Sequence, residues 1–183
     1  MATVRLKGGE VPVLKTTDIL VVGGGPSGLA AAVSAAKEGC ETIVVERYGY
    51  LGGMATGGHV LILMDLDSKG NQVIRGFADE LLKDIYDFDP SGIIMPPPEH
   101  RGSNSPEHIS QWKDWGMTVS RDEDNPWGDD YVRGRAVVDA EVMKTVADME
   151  IKKAGASTLF HSMATIPIVE GGVLKGVVFE SKS

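Results

Sequence analysis

Between Asp18 and Glu46 the hydrophobic pattern changes period twice. Ile19–Val22 is an unbroken apolar run of strand length, ended by Gly23, Gly24 and Gly25. From Pro26 onward the apolar positions recur at helical spacing, with Leu29, Ala32, Val33 and Ala36 on one face, and Gly39 supplies a left-handed stop. A second apolar strand then closes on the acid Glu46. This order predicts a βαβ unit to about residue 47, a loop to about 60 and a strand-like run over 60–64. Farther along, Phe77–Phe88 reads as an amphipathic helix through Phe77, Leu81, Leu82 and Ile85, and Ala140–Ala154 as a helix with Val142, Val146, Met149 and Ile151 to bury. Residues 158–161, 164–169 and 173–179 read as strands, with Gly171 and Gly172 turning the last hairpin. Strands alternating with helices predict an α/β chain.

Residues 89–130 differ in kind. Prolines at 96, 97, 98, 106 and 126 and many charges leave little for a core, so the stretch is expected to be irregular, a lid or a linker. It also holds Trp112, Trp115 and Trp127. Exposed tryptophans are costly, which predicts that they dock onto another surface.

Each part of the βαβ unit has a physical task. In Gly23-x-Gly25-x-x-Gly28, Gly23 permits the turn out of the strand, Gly25 lets backbone approach a pyrophosphate, and Gly28 lets helix and strand pack closely. Pro26 and Ser27 open the helix, whose free amides would hold the pyrophosphate. Glu46, at the end of the second strand, can accept both hydroxyls of an adenosine ribose, and its charge would repel a 2′-phosphate, which disfavours NADP. Residues 19–36 carry no charge, but the Gly-Gly-Gly-Pro interior argues against a membrane span.

Composition narrows the picture. The length of 183 residues suits about one domain, and a formal charge of −8 makes a nucleic-acid or anionic-membrane surface unexpected. Cys40 is the only cysteine, which excludes an intrachain disulfide and reads as a buried, inert thiol. Residues 1–17 show no secretory pattern, so a cytoplasmic location is expected. Asp65, Asp67 and Gly70 faintly imitate a calcium loop, but its twelfth position would be Gly76 where a bidentate Glu is needed, and the reading fails.

The segment after Glu46, Arg47-Tyr48-Gly49-Tyr50-Leu51-Gly52-Gly53-Met54-Ala55-Thr56-Gly57-Gly58-His59, brings a second glycine cluster within a few residues of the acid. Here the chain resembles the FAD-dependent oxidoreductases of the glutathione-reductase type, and more narrowly those with a Glu-Arg-x-x-x-Leu-Gly-Gly-x-Ala-Thr-x-Gly signature, distant relatives of the fumarate reductase and tricarballylate dehydrogenase flavoproteins. The segments 73–82, 138–144 and 154–156 resemble that family's later stretches in order and spacing. The resemblance implies a Rossmann-like FAD-binding domain with an inserted small β-meander, divided here into a βαβ core over 17–60, a helix and Pro/Trp-rich insertion over 77–130, and a helix plus meander over 136–181. It implies that Gly23, Gly25, Pro26, Ser27, Gly28, Glu46, Arg47, Gly52, Gly53, Met54 and Ala55 bind FAD, with Ala164 beside the adenine. It implies non-covalent flavin as well, because Gly53 stands where some relatives carry a flavin-linked histidine. The family continues with an Ala-Thr-Gly-Asp-type motif and a substrate domain that these residues do not contain. The chain then reads as a fragment, a processed piece or one subunit of a split flavoprotein, and a second polypeptide, from a separate gene or from cleavage, is expected to complete the protein as a heteromer, with 89–130 part of the contact.

The catalytic groups are less legible. His59 is the candidate for a base or polariser near the flavin ring, although a loop histidine bonded to its neighbours is the commoner case. Arg75, Arg133 and Arg135 could grip a carboxylate or simply form surface ion pairs. His100 and His108 lack a nearby acid or thiol cluster and read as loop residues. Three functions stand open: a FAD-dependent oxidoreductase that passes a hydride from an organic small molecule to flavin, a non-catalytic FAD- or ADP-binding subunit, and an adenylate-binding enzyme of the thiazole-synthase kind. Sulfur donation in the last would need a reactive loop cysteine, and Cys40 sits too near the first helix.

Overall fold

The computed structural model describes residues 3–6, 9–64, 66–68, 71–96, 98–101, 103, 105–113 and 135–181. Trp115, Trp127, Arg133 and Asp65 lie outside the described residues. In chain order the elements begin with an antiparallel ribbon of β1 (Thr3–Leu6) and β2 (Gly9–Pro12), then β3 (Ile19–Val22), α1 (Pro26–Lys37) and β4 (Thr42–Val45). There follow β5 (Ile62–Leu63), a small hairpin of β6 (Asp67–Ser68) and β7 (Asn71–Gln72), α2 (Phe77–Phe88), β8 (Ile93–Ile94) and α3 (Pro106–Lys113). The last elements are β9 (Ala136–Val138), α4 (Ala140–Ala154), β10 (Ser157–Leu159), β11 (Ser162–Glu170) and β12 (Val173–Ser181).

A parallel sheet in the order β10-β4-β3 positions the site. β4 is its central strand, with Val22 and Leu159 both in register with Val45, and all four β4 residues are buried. α1 seals against the sheet through Leu29, Ala32 and Val33, which expose no surface. One apolar core unites these residues with Leu81, Leu82 and Ile85 of α2 and Met143, Val146, Ala147 and Ile151 of α4. β3 has a different fate at the edge: Ile19, Leu20 and Val22 are 38 %, 37 % and 56 % exposed. A groove of about 520 Å³ runs beside it, walled by Asp18, Ile19, Leu20 and Val22 on one side and by Ala164, Pro167 and Leu174 of β11 and β12 on the other.

The two long helices match the sequence pattern in extent, because each end is fixed locally. Asp139 caps α4 by accepting from the amides of Glu141 and Val142, and Gly155 closes it at φ 85°. The buried face of α4 is another matter. Met149 is exposed and Met143 takes its place, with Ala140, Ala147 and the carboxylate-bearing Glu150 completing the stripe that meets α1 and α2. Glu150 is bridged by Lys153, which also donates to Asp84 of α2 at 2.8 Å and so ties the two helices together. The Lys153 hydrogen bond, and after it one with Glu150, holds Asp84 below the usual aspartate range, while burial pushes Glu150 up.

Three expectations change in the structure. The strand expected over 60–64 shrinks to β5, which pairs with β9. The segment taken as wholly irregular holds β8, α3 and two short 3-10 turns; Ile93 enters the core because β8 finds a partner in β9, a pairing across more than forty residues that local composition does not report. Finally, β10 joins the parallel sheet beside β4, so the expected meander reduces to the β11–β12 hairpin.

Candidate functional site at the carboxyl end of the parallel sheet

The chain leaves β3 at Gly23, whose amide donates to the Val45 carbonyl at 2.8 Å and whose φ of 96° suits glycine. Five residues later Gly28 passes so close to that turn that a Cβ on it would stand 1.8 Å from the Gly23 carbonyl oxygen. Gly25 is the N-cap of α1 and Pro26 follows at the first helical position, where no backbone donor is lost. No side chain caps this end and no acid lies in its first turn. Its amides are therefore available to an anion, and a Cβ at Gly25 would project into open space.

Glu46 ends β4 almost fully buried. Its Oε2 accepts from the amide of Gly24 at 2.7 Å and its Oε1 from that of Tyr48 at 2.8 Å. The backbone of Glu46 is fixed on both sides, donating to the Leu159 carbonyl and accepting from Ser162, each at 2.9 Å. The second glycine cluster folds back onto the first. Gly52 donates to the Gly24 carbonyl at 2.8 Å, and a Cβ at Gly53 would lie 2.9 Å from the Gly25 Cα. Met54 and Ala55 continue Gly53 in a 3-10 turn, Met54 exposed and Ala55 buried; behind them Thr56 is fully buried and donates to the Leu51 carbonyl at 2.8 Å. Two glycine clusters, an uncapped helix end and an oriented carboxylate thus converge, and the open space at Gly25 with the donors around it fits a dinucleotide pyrophosphate.

Other expected residues are placed variously. His59 is exposed at the far side of the second cluster with φ 54°. Arg47 lies over the Tyr48 ring at 4.6 Å. Ala164 lines the groove beside β3, two residues beyond Ser162. Arg75 donates to the Gln72 carbonyl ahead of α2, and Arg135 directly precedes β9. His100 and His108 stack with ring centroids 3.9 Å apart, and Trp112 donates its indole N–H to His100 at 2.8 Å, a contact within its own segment and not with the other surface expected for it. Cys40 is half-buried. Among the described residues no group of three His, Cys, Asp or Glu is arranged to hold a metal ion, and no helix is long and apolar enough to cross a membrane.

Sequence reasoning missed His161. Its φ of 52° is unusual for a side-chain-bearing residue, its amide donates to the Tyr48 carbonyl, and its ring fills the space where a Gly49 Cβ would stand, 2.8 Å from Cε1. The only local trace of this contact was a glycine between two tyrosines.

The model of the FAD dependent oxidoreductase family matches residues 18–183. The chain belongs to this family. FAD is its cofactor, and the mixed α/β architecture agrees with a Rossmann-like FAD-binding fold. Among curated proteins it is 28% identical over 160 residues to the digeranylgeranylglycerophospholipid reductase of Methanoculleus marisnigri, covering 87% of this chain and 33% of that protein. It is 44% identical over 68 residues to the thiamine thiazole synthase of Metallosphaera sedula, covering 37% and 22%. Among solved structures, the L-amino acid deaminase of Proteus myxofaciens in complex with anthranilate aligns at TM-score 0.54 and 13% identity, over 92% of this chain and 43% of that one. The L-proline dehydrogenase of P. horikoshii aligns at TM-score 0.51 and 16% identity, over 91% and 50%. The family member therefore spans about a third of the length of the curated reductase it matches.

Proposed function

We propose that this chain is the FAD-binding part of an oxidoreductase of the glutathione-reductase type, which moves a hydride from an organic small molecule to a non-covalently held flavin. The observation that carries the reading is the seating of Glu46: a buried carboxylate, aimed by two backbone amides, stands beside the uncapped end of α1. In this reading Glu46 holds the adenosine ribose, the amides after Gly25 hold the pyrophosphate, and the turn at Gly53, Met54 and Ala55 lies along the flavin side, with His59 the candidate base or polariser. Bound flavin supplies the hydride acceptor; the protein supplies orientation and charge.

A second polypeptide belongs to the same proposal. Parallel sheets are normally covered on both faces and paired at their edges. Among the described residues no strand pairs with the outer side of β3, and that side, its exposed apolar residues and the adjoining groove support a partner that adds a strand there and brings a substrate domain. A second reading, an adenylate-binding enzyme of the thiazole-synthase kind, is favoured by the 44% identity over 68 residues.

An absorbance spectrum of the purified protein, taken before and after acid precipitation, separates these readings. A flavin spectrum released entirely into the supernatant is expected; a colourless protein carrying an adenylate favours the thiazole-synthase reading, and colour kept in the pellet refutes non-covalent binding. Native mass spectrometry of material from its source tests the partner, which a lone species of 19.5 kDa that turns over substrate would exclude.

A further inference from the structure

The loop joining Glu46 to the second glycine cluster is held from outside by a stack of four side chains. Arg47 lies 4.6 Å from the centroid of the Tyr48 ring. Tyr48 and Tyr50 are parallel to within 3°, with centroids 5.5 Å apart. Lys144 of α4 completes the stack with Nζ 4.4 Å from the centroid of Tyr50, and the same ammonium donates to Glu141 at 2.6 Å. A cation at each end of two stacked π-systems is the arrangement that ring quadrupoles favour.

The stack touches the cofactor-binding groups at both ends. The Tyr48 amide is one of the two donors that aim Glu46. The edge of the Tyr50 ring lies against Gly57, where an added Cβ would stand 2.7 Å from Cε2 and 2.9 Å from Cζ, so the second ring rests on the second glycine cluster. From the other side, His161 takes the Tyr48 carbonyl and fills the space over Gly49. Tyr48, Gly49 and Tyr50 occupy the three open positions of the Glu-Arg-x-x-x-Leu-Gly-Gly pattern, so the signature itself does not require the two rings.

We propose that Arg47, Tyr48, Tyr50 and Lys144 form a clasp that fixes the spacing between the ribose carboxylate and the flavin-side turn. Lys144 is then a positioning residue for FAD, although α4 supplies none of the groups of the cradle. The inference rests on the assignment of Glu46 to the ribose. It predicts that Lys144→Met raises the FAD dissociation constant about three- to tenfold, the size of a stacking or cation–π contact. Lys144→Arg restores parental affinity because it keeps a cation over the ring. Tyr50→Leu weakens binding as Lys144→Met does, Tyr50→Phe keeps the ring and binds like the parent, and the double variant Lys144→Met/Tyr50→Leu is no weaker than Tyr50→Leu alone. The measurement is titration of the protein with FAD, followed by quenching of flavin fluorescence. Parental affinity in Lys144→Met and Tyr50→Leu, or no rescue by Lys144→Arg, overturns the clasp. Loss of affinity in Glu46→Ala alongside an unaffected Lys144→Met leaves the ribose assignment standing and removes the clasp alone; parental affinity in Glu46→Ala removes the assignment and the clasp with it.

Discussion

β3 and β4 are neighbours of equal length and nearly equal composition, Ile-Leu-Val-Val against Thr-Ile-Val-Val, yet one is mostly exposed and the other wholly buried. Hydrophobicity therefore does not set burial here; position does. α1 packs on both strands, but among the described residues β4 has a paired strand on each side, whereas β3 has β4 on one side and an open groove on the other. Nearly the same four-residue word is a core strand in one place and an exposed edge in the next.

The largest expected effect breaks the contact between α1 and the end of β3. Gly28→Val would force a side chain into the Gly23 carbonyl and push α1 off β3, costing more than about 3 kcal/mol in chemical denaturation. A variant of parental stability would show that helix and strand do not approach as described. Next comes the functional end of β4: Glu46→Ala removes charge-assisted hydrogen bonds of about 1.5 to 3 kcal/mol and should weaken FAD retention roughly tenfold to a hundredfold. Full retention of flavin through gel filtration would refute the ribose assignment.

Paired truncations sharpen the contrast directly. Val44→Ala should cost about 2 kcal/mol, since it deletes fully buried methyl groups, while Val22→Ala should stay within about 0.5 kcal/mol. Equal costs, measured on this chain alone, would mean that β3 is already covered.

The smallest effect lies in the helical layer that packs on α1. Asp84, held low by Lys153 and Glu150, contributes stability that is present above its ordinary value of 3.8 and lost as pH falls through its lowered pKa. Glu150 has the opposite sign: burial raises its pKa, so its contribution is present below 4.5 and is lost as pH rises from there through the raised value. Glu150→Gln should therefore abolish the decline above pH 4.5 and keep the acid limb below 3.8, a change of less than about 1 kcal/mol seen in urea denaturation at a series of pH values. An unchanged profile above pH 4.5 would show that Glu150 ionises freely.

What could be read from sequence follows the range of the forces involved. Gly23, Gly25, Gly28 and Glu46 were legible because a turn, a helix start and a strand end are fixed within a few residues, and α2 and α4 because caps and periodicity are local as well. The exposure of β3, the pairing of Ile93 with Val138 and the arrival of His161 at Gly49 are contacts between distant segments, and no local pattern encodes them. Met149 is apolar yet lies outside the buried stripe of α4, which instead includes Glu150, a buried carboxylate bridged by Lys153. Arg75 and Arg135 could not be weighed from spacing at all.

Glu46 has a consequence in time rather than in energy. Its carboxylate is oriented by the chain's own amides, Gly24 and Tyr48 holding both oxygens, so the proposed ribose site does not depend on the ligand for its geometry. A ligand that meets a finished acceptor waits for no rearrangement, so capture is set by diffusion and orientation and differences among variants of this loop fall on the lifetime of the complex. Stopped-flow mixing should then give a single phase whose rate rises in proportion to FAD concentration, and the protein's hold on its cofactor becomes a matter of how slowly it lets go.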